Sequence, residues 1–204
     1  MDLDPILDAA HSFAGAVLFP GDVAVDATTG NGHDTVFLAK QVGESGRVYG
    51  FDVQPEALRA TTQRLDAAGV AARVTLRSTG HEHLRRCLPK ADHGDVGAVV
   101  FNCGYLPGGD QEIVTRPETT VAALRASLDV VRPGGRVVVV LYLGHDGGEE
   151  EARAVREWAR GLDQERAQAL SYRFVNQIHH PPRLLVVEKC GIENRPPTRD
   201  GPPT

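Results

Sequence analysis

The feature that most constrains this chain is the junction at Val23-Ala24-Val25-Asp26, an apolar run that breaks directly into Ala-Thr-Thr-Gly-Asn-Gly and then into a helical stretch from Asp34 to Gln41. A β-rich run joined to a helix by a glycine turn is one βα unit, and the unit recurs. Arg47–Val53, Arg73–Ser78, Val96–Asn102 and Arg136–Leu143 read as further strands. Between them, Pro55 opens a helix that runs to about Ala68, a short helix covers His81–Leu88, and Pro117–Val131 is stopped by Pro133-Gly134-Gly135. Proline suits the first helical turn because its missing N–H has no intrahelical partner there. An opening helix is expected over residues 3–19, with Leu3, Ile6, Leu7 and Ala10 on one face, and a charged amphipathic helix over Glu149–Leu162. Strands alternating with helices in this way predict an α/β fold with a mainly parallel sheet. Arg136–Leu143, apolar on both faces, reads as a central strand.

The end of the pattern differs. Tyr172–Ile178 and Arg183–Lys189 are strand-like runs separated only by His179-His180-Pro181-Pro182. Four residues cannot hold a crossover helix, so these two strands are expected to form an antiparallel hairpin. With 204 residues, one domain over residues 1–190 accounts for the pattern, and the proline- and charge-rich stretch 191–204 is expected to be a disordered tail.

Composition excludes some functions. The net charge of −5 argues against coating nucleic acid through bulk charge, while leaving room for a local basic patch on one folded RNA. Arg59, Arg64, Arg73, Arg77, Arg85 and Arg86 are candidates for such a patch, although solvated surface accounts for most of them. Cys87, Cys103 and Cys190 lie far apart without a CxxC pair, which argues against a disulfide framework or a zinc site. The start of the chain lacks a basic segment followed by a long apolar run, and no stretch has the apolar length of a membrane span. A cytoplasmic protein that uses no metal and no membrane is expected. The oligomeric state is not fixed by the sequence, and a homodimer is compatible with it.

The junction itself carries chemistry. Gly30-Asn31-Gly32 lets the backbone turn sharply and approach a ligand at the carboxyl end of the sheet. A glycine pair alone is a weak signal. Two details sharpen it. A dinucleotide loop places a third glycine three residues on, where this chain has Thr35, a residue that opposes close helix–strand packing of that type. Asp26 also brings a carboxylate to the loop, unfavourable beside a pyrophosphate and favourable beside the cationic sulfonium and amino group of S-adenosylmethionine. Asp52, closing the next strand, is placed to accept both hydroxyls of a ribose, a role common to nicotinamide and adenosylmethionine sites. An N-cap role ahead of Pro55 is the alternative. His33 and Asp34 can cap the following helix as well as touch a ligand. His81-Glu82-His83 follows the third strand, where adenine contacts are expected, and suggests no third ligand for a metal. The expected donor site is therefore Asp26, Thr28, Gly30, Asn31, Gly32, His33, Asp34 and Thr35, joined by Asp52, Gln54, His81, Glu82 and Asn102.

The fourth strand ends in Asn102-Cys103-Gly104-Tyr105-Leu106-Pro107-Gly108-Gly109-Asp110. A polar Asn closing an apolar strand, followed by an aromatic residue and a Gly/Pro-rich loop, suits a substrate gate; a plain turn capped by Asn102 is the alternative. The segment resembles the Asn-Pro-Pro-aromatic loop of amino-directed methyltransferases, without its two prolines. The Asn102 carbonyl can hold an amine, and Tyr105 can wall the site or stack on a base. Tyr142 and His145 follow the fifth strand on the same sheet edge. His145 is a candidate proton acceptor at neutral pH, with an exposed loop histidine as the alternative. Asn102, Tyr105, Tyr142 and His145 thus form the expected catalytic set. His179 and His180 read as surface residues.

The segments AVDATTGNGHDTVFLAK, FNCGYLPGGDQEIVTRPETT, LYLGHDGGEEE and FVNQIHHPPRLLVVEK together resemble the family of small methyltransferases labelled putative rRNA methylases, which includes the tRNA 5-(aminomethyl)-2-thiouridine methyltransferases. Asp26 and Gly30 to Thr35 match the family's cofactor loop, and Asn102 with Gly104 to Asp110 match its second motif. Cys103 departs from an expected aliphatic residue, and His180 from an expected Asn. The resemblance implies a Rossmann-like class I methyltransferase fold, with a mostly parallel seven-stranded sheet ending in an antiparallel hairpin. It implies S-adenosyl-L-methionine as methyl donor. It also implies tRNA, at its anticodon region, as partner, with the exocyclic amine of 5-aminomethyl-2-thiouridine at the wobble position as acceptor. Beside it stand a small-molecule methyltransferase, a nicotinamide oxidoreductase, and a non-catalytic S-adenosylmethionine-binding module.

Overall fold

The structure, a computed structural model, describes residues 3–110, 112–179 and 181–191. The elements in chain order are α1 (Ile6–Gly15), β1 (Val23–Asp26), α2 (His33–Gln41), β2 (Arg47–Asp52), α3 (Pro55–Ala67), β3 (Val74–Ser78), α4 (Leu84–Cys87), β4 (Val96–Cys103), α5 (Pro117–Val130), β5 (Val131–Leu141), α6 (Gly148–Arg160), β6 (Ala167–Tyr172) and β7 (Arg183–Lys189). The seven strands form one sheet in the order β3-β2-β1-β4-β5-β7-β6. The first five pair in parallel. β7 lies antiparallel between β5 and β6.

Alternation along the strands sets the two cores. Val23, Val25, Val99 and Phe101 pack on one face with Leu124 and Leu128 of α5 and Val155 of α6. Ala24, Ala98, Val100 and Val138 pack on the other with Ile6 and Ala10 of α1 and Leu38 of α2. Successive strand residues point to opposite faces, so a strand covered on both sides must be apolar at nearly every position. β1 is buried throughout, and so are all but one of the positions of β4.

The opening helix is shorter than residues 3–19, and Leu3 and Leu7 are exposed while Ile6 and Ala10 are buried. Two further expectations need correction. The strand expected at Tyr172–Ile178 is Ala167–Tyr172, and its link to β7 runs over residues 173–182 rather than through four residues. The antiparallel pairing holds, with Ala167 opposite Lys189 and Tyr172 opposite Leu184. β6 is an edge strand with exposed positions at four of its six residues, so its apolar pattern is weak. Downstream, Tyr172 and Phe174 pack on the second core and supply the apolar signal instead. Pro133-Gly134-Gly135 does not separate helix from strand. β5 begins at Val131, immediately after α5, and those residues form an irregularity that shifts its register with β4 between Val96 and Ala98. Arg132, at the same place, grips both Asp22 oxygens at 2.8 Å. The tail lies, from residue 192 on, outside the described residues, and so does His180.

The chain runs outward from β1 to β3 and returns on the other side of β1 as β4. The carboxyl ends of β1 and β4 flank this reversal, where open α/β sheets form their ligand crevice.

Candidate active site

A cavity of about 460 Å³ opens at that crevice, within the range that small-molecule sites occupy. Its floor is the turn after β1. Gly30 (φ +48°) and Gly32 (φ +81°) take left-handed conformations, which a side chain would strain. A Cβ at Gly32 would also stand 2.9 Å from the Thr61 backbone of α3. The Thr61 hydroxyl donates to the Gly30 carbonyl at 2.9 Å, and Arg64 Nε donates to the Asn31 carbonyl at 2.6 Å. The turn is thus pinned from the side by α3, a contact that sequence reading had not shown.

From below it is pinned by Asp26. That side chain is fully buried. One oxygen accepts the Thr28 N–H at 3.1 Å and the other the Thr35 hydroxyl at 2.6 Å. Burial, then the Asp34 charge, pushes the Asp26 carboxyl up to about 7. Gly50 of β2 leaves room for the turn and for β3. A Cβ there would lie 2.5 Å from the Thr29 methyl and 2.7 Å from Leu76.

Thr28, Gly30, Asn31, His33 and Asp34 line the cavity, as do Asp52, Gln54, His81, Glu82 and Asn102. Asp26, Gly32 and Thr35 do not. Their polar atoms and close approaches are taken by loop, helix and strand, and they support the loop from beneath. Asp52 accepts the Gly30 N–H and the Gln54 N–H, each at 2.9 Å. A carboxylate offers about four lone-pair positions, so both oxygens can still accept from a ligand. His81 is buried against Phe101, and burial lowers its pKa, which keeps the imidazole neutral.

Asn102 closes β4 on the opposite wall. Its N–H donates to the Thr28 hydroxyl at 2.7 Å, and its Nδ2 donates to Asp34 Oδ2 at 3.3 Å. Because a carboxylate only accepts, the amide must turn its NH₂ toward Asp34 and its carbonyl away. That carbonyl, Oδ1, is buried and has no partner, and so is the Thr29 hydroxyl nearby. Tyr105 and Tyr142, both part-exposed, line the cavity beside Asn102. Burial, then the Asp34 charge, raises the Tyr142 pKa. The two sequence motifs meet directly: Asn31 Nδ2 donates to the Pro107 carbonyl at 3.3 Å, and Leu106 lies over Gly30.

The family model described as putative rRNA methylase matches residues 48–188, from β2 into β7. The chain is 38% identical over 163 residues to a chloroplastic tRNA (mnm5s2U34)-methyltransferase of Arabidopsis thaliana, covering 76% of this chain and 59% of that protein. This chain therefore matches less than two thirds of that relative's length. Two crystal structures cover nearly all of it. A putative rRNA methylase from Clostridium thermocellum shares 42% identity at a TM-score of 0.89, covering 93% of this chain and 100% of that one. A putative methyltransferase from Streptococcus mutans, in complex with SAH, shares 35% identity at a TM-score of 0.82, covering 93% and 99%.

The chain belongs to the putative rRNA methylase family.

In this family member, the expected catalytic set is only partly brought together. Asn102, Tyr105 and Tyr142 converge on the cavity, and His145 does not line it. The His145 Nδ1 is 2.9 Å from the Asp146 carbonyl, its ring packs edge-on behind Tyr105, and its Nε2 is buried without a partner against Gly148. It therefore buttresses Tyr105. Three groups had escaped sequence reading. His11 of α1 reaches Asp34 Oδ1 at 2.7 Å. Arg116 and Thr119, at the start of α5, line the cavity. Glu151 of α6, fully buried, accepts the hydroxyls of Thr115 and Thr120 at 2.8 and 2.6 Å. The helical pattern around His11 marked only an apolar face, and the Glu151 contact joins residues more than thirty positions apart. No group of three or more His, Cys, Asp or Glu is placed to hold a metal among the described residues, and no described helix is long and apolar enough to cross a membrane.

Proposed function

We propose that this chain is an S-adenosylmethionine-dependent methyltransferase that acts on a primary amine of RNA, with 5-aminomethyl-2-thiouridine at the tRNA wobble position as the acceptor. The observation that carries the amine is the buried, unpartnered Asn102 Oδ1 on the cavity wall. An unmet acceptor costs on the order of 1–3 kcal/mol, and an N–H of the acceptor amine would supply the donor. The tRNA assignment rests on the likeness to the Arabidopsis relative.

The residues present suit the donor. We assign Asp52 to the ribose hydroxyls, and neutral His81 with Glu82 to adenine, because all three line the cavity. The turn from Thr28 to His33 suits the methionine moiety, with the unpartnered Thr29 hydroxyl beside it. Bound there, S-adenosylmethionine supplies an activated methyl: the amine lone pair forms the new C–N bond as the C–S bond breaks and leaves its electron pair on sulfur. The chain's own task is positioning, which supplies roughly 7–11 kcal/mol of the barrier in the best intramolecular cases. Asn102 orients the amine, and Tyr105 and Tyr142 offer faces on which a base can stack.

The test is incubation with methyl-labelled donor and undermodified tRNA, read by nucleoside mass spectrometry. Label on the wobble aminomethyl group is expected. Donor binding without transfer to any tRNA would refute the reading, and turnover of a free amine alone would favour a small-molecule enzyme.

A further inference from the structure

An alkyl amine carries a proton near neutral pH and cannot attack a methyl group until it loses it. Asp34 is the carboxylate beside the Asn102 acceptor. It lines the cavity, its side chain is 14% exposed, and its oxygens meet only His11 Nε2 at 2.7 Å and Asn102 Nδ2 at 3.3 Å. No Lys or Arg pairs with it among the described residues. His11 is held in turn: its ring stacks on Phe37 at 4.0 Å, with the planes 1° apart. The hydrogen-bond chain His11–Asp34–Asn102 therefore joins α1 to α2 and to the end of β4. It fixes both the carboxylate and the amide flip that turns Oδ1 away from Asp34.

We propose that Asp34 takes the proton of the acceptor ammonium and that His11 is the positioning residue that holds Asp34 ready for it. This rests on the amine-directed reading above. In the step, one N–H bond of the ammonium breaks and an O–H bond forms at Asp34. The nitrogen keeps the electron pair, and the two opposite charges are neutralised together. The proton passes to water after the product leaves. The titratable neighbours are Asp26 beneath it from β1, Asp52 at the end of β2, His33 at the start of α2, and the Tyr142 hydroxyl beyond β5. The Asp26 carboxyl feels both Asp34 and Asp52, but it lies beneath the loop, and Asp34 is the carboxylate that hydrogen-bonds Asn102.

The probe is a synthetic anticodon stem-loop carrying 5-aminomethyl-2-thiouridine, with methyl-labelled S-adenosylmethionine and single-turnover kinetics. Asp34→Asn is expected to slow transfer by about 100-fold or more at neutral pH. Its rate should then climb tenfold per pH unit with the fraction of free amine, whereas the wild-type rate levels off at lower pH. His11→Ala should lower kcat by about tenfold at unchanged KM, and His11→Gln, which keeps a donor toward Asp34, should recover most of it. A readout without turnover is the affinity of the protein–S-adenosylhomocysteine complex for this RNA against the same RNA lacking the aminomethyl group. Asp34→Asn should lose the preference for the amine, by about tenfold. Amine methylation by the wild type with an unchanged profile and preference in Asp34→Asn, or unchanged kinetics in a folded His11→Ala, would overturn the proton role alone. A wild type that methylates no amine would remove the functional reading and this role with it.

Discussion

At the scale of single residues, Asp26 shows how much of a side chain's surroundings the sequence leaves out. A carboxylate at the end of the first strand reads as a partner for a sulfonium. In the fold it faces inward, and the Thr28 N–H and Thr35 hydroxyl use its oxygens. Neither bond could be seen in the sequence, because the turn that creates them is not a repeating pattern. The burial has a thermodynamic consequence. The Asp26 carboxyl is raised from 3.8 to about 7, first by desolvation and then by the Asp34 charge. Between those values the native protein holds a proton that the unfolded chain has released, so this group makes stability fall as pH rises from about 4 to 7. At about 1.4 kcal/mol per unit, the effect is on the order of 4 kcal/mol at most. Asp26→Asn removes the titration and, offering one acceptor where two are used, costs about 1 kcal/mol of its own. Thermal melts across pH should show the wild type losing its advantage over Asp26→Asn as pH rises toward 8. Parallel curves for the two proteins would contradict the assignment.

At the scale of elements, the strands that hold the site were legible because burial on both faces leaves continuous apolar runs. β1, β2, β4, β5 and β7 all stand at or near their expected positions. β6 was displaced because an edge strand exposed at Gln168, Ala169, Leu170 and Ser171 gives no such run. What the pattern could not show is how elements are tied to one another. The segment from Gly104 to Arg116 is anchored at its far end by Glu151, which reaches from α6 to Thr115 and to Thr120 of α5. The Thr115 N–H returns to the Gly104 carbonyl at 3.0 Å. The same charge, after burial, holds the Cys103 thiol well above its ordinary range. Both threonine hydroxyls donate to Glu151, and an amide has only one accepting oxygen. Glu151→Gln should therefore leave one hydroxyl without its acceptor and cost about 1–2 kcal/mol, read as a lower melting temperature. Because Tyr105 and Leu106 ride on the freed segment, acceptor KM should rise several-fold while donor affinity is retained. A Glu151→Gln protein that melts with the wild type and keeps its KM would show that the clamp does not hold the loop.

At the scale of the whole molecule, charge separates a reader of one RNA from a general nucleic-acid binder. The chain carries −5 overall, so the proposed RNA acceptor must be met locally. The structure ties two cations to the cavity region, Arg64 through the Asn31 carbonyl and Arg116 in the cavity wall. Each phosphate neutralised contributes roughly −0.7 to −0.9 to the slope of log affinity against log salt. Two such contacts imply a slope of about −1.4 to −1.8, shallow beside that of a protein that wraps a duplex. The remaining affinity would then come from the base itself, held by Asn102 and the faces of Tyr105 and Tyr142. Two consequences follow for binding of an anticodon stem-loop measured from 50 to 300 mM salt. The slope should stay in that shallow range, and removing the aminomethyl group should weaken binding equally at every salt concentration, because the cavity contacts are screened far less than surface ones. A slope near zero would place the acceptor among small molecules, and a slope steeper than about −6 would demand an extended basic face that the net charge of this chain opposes.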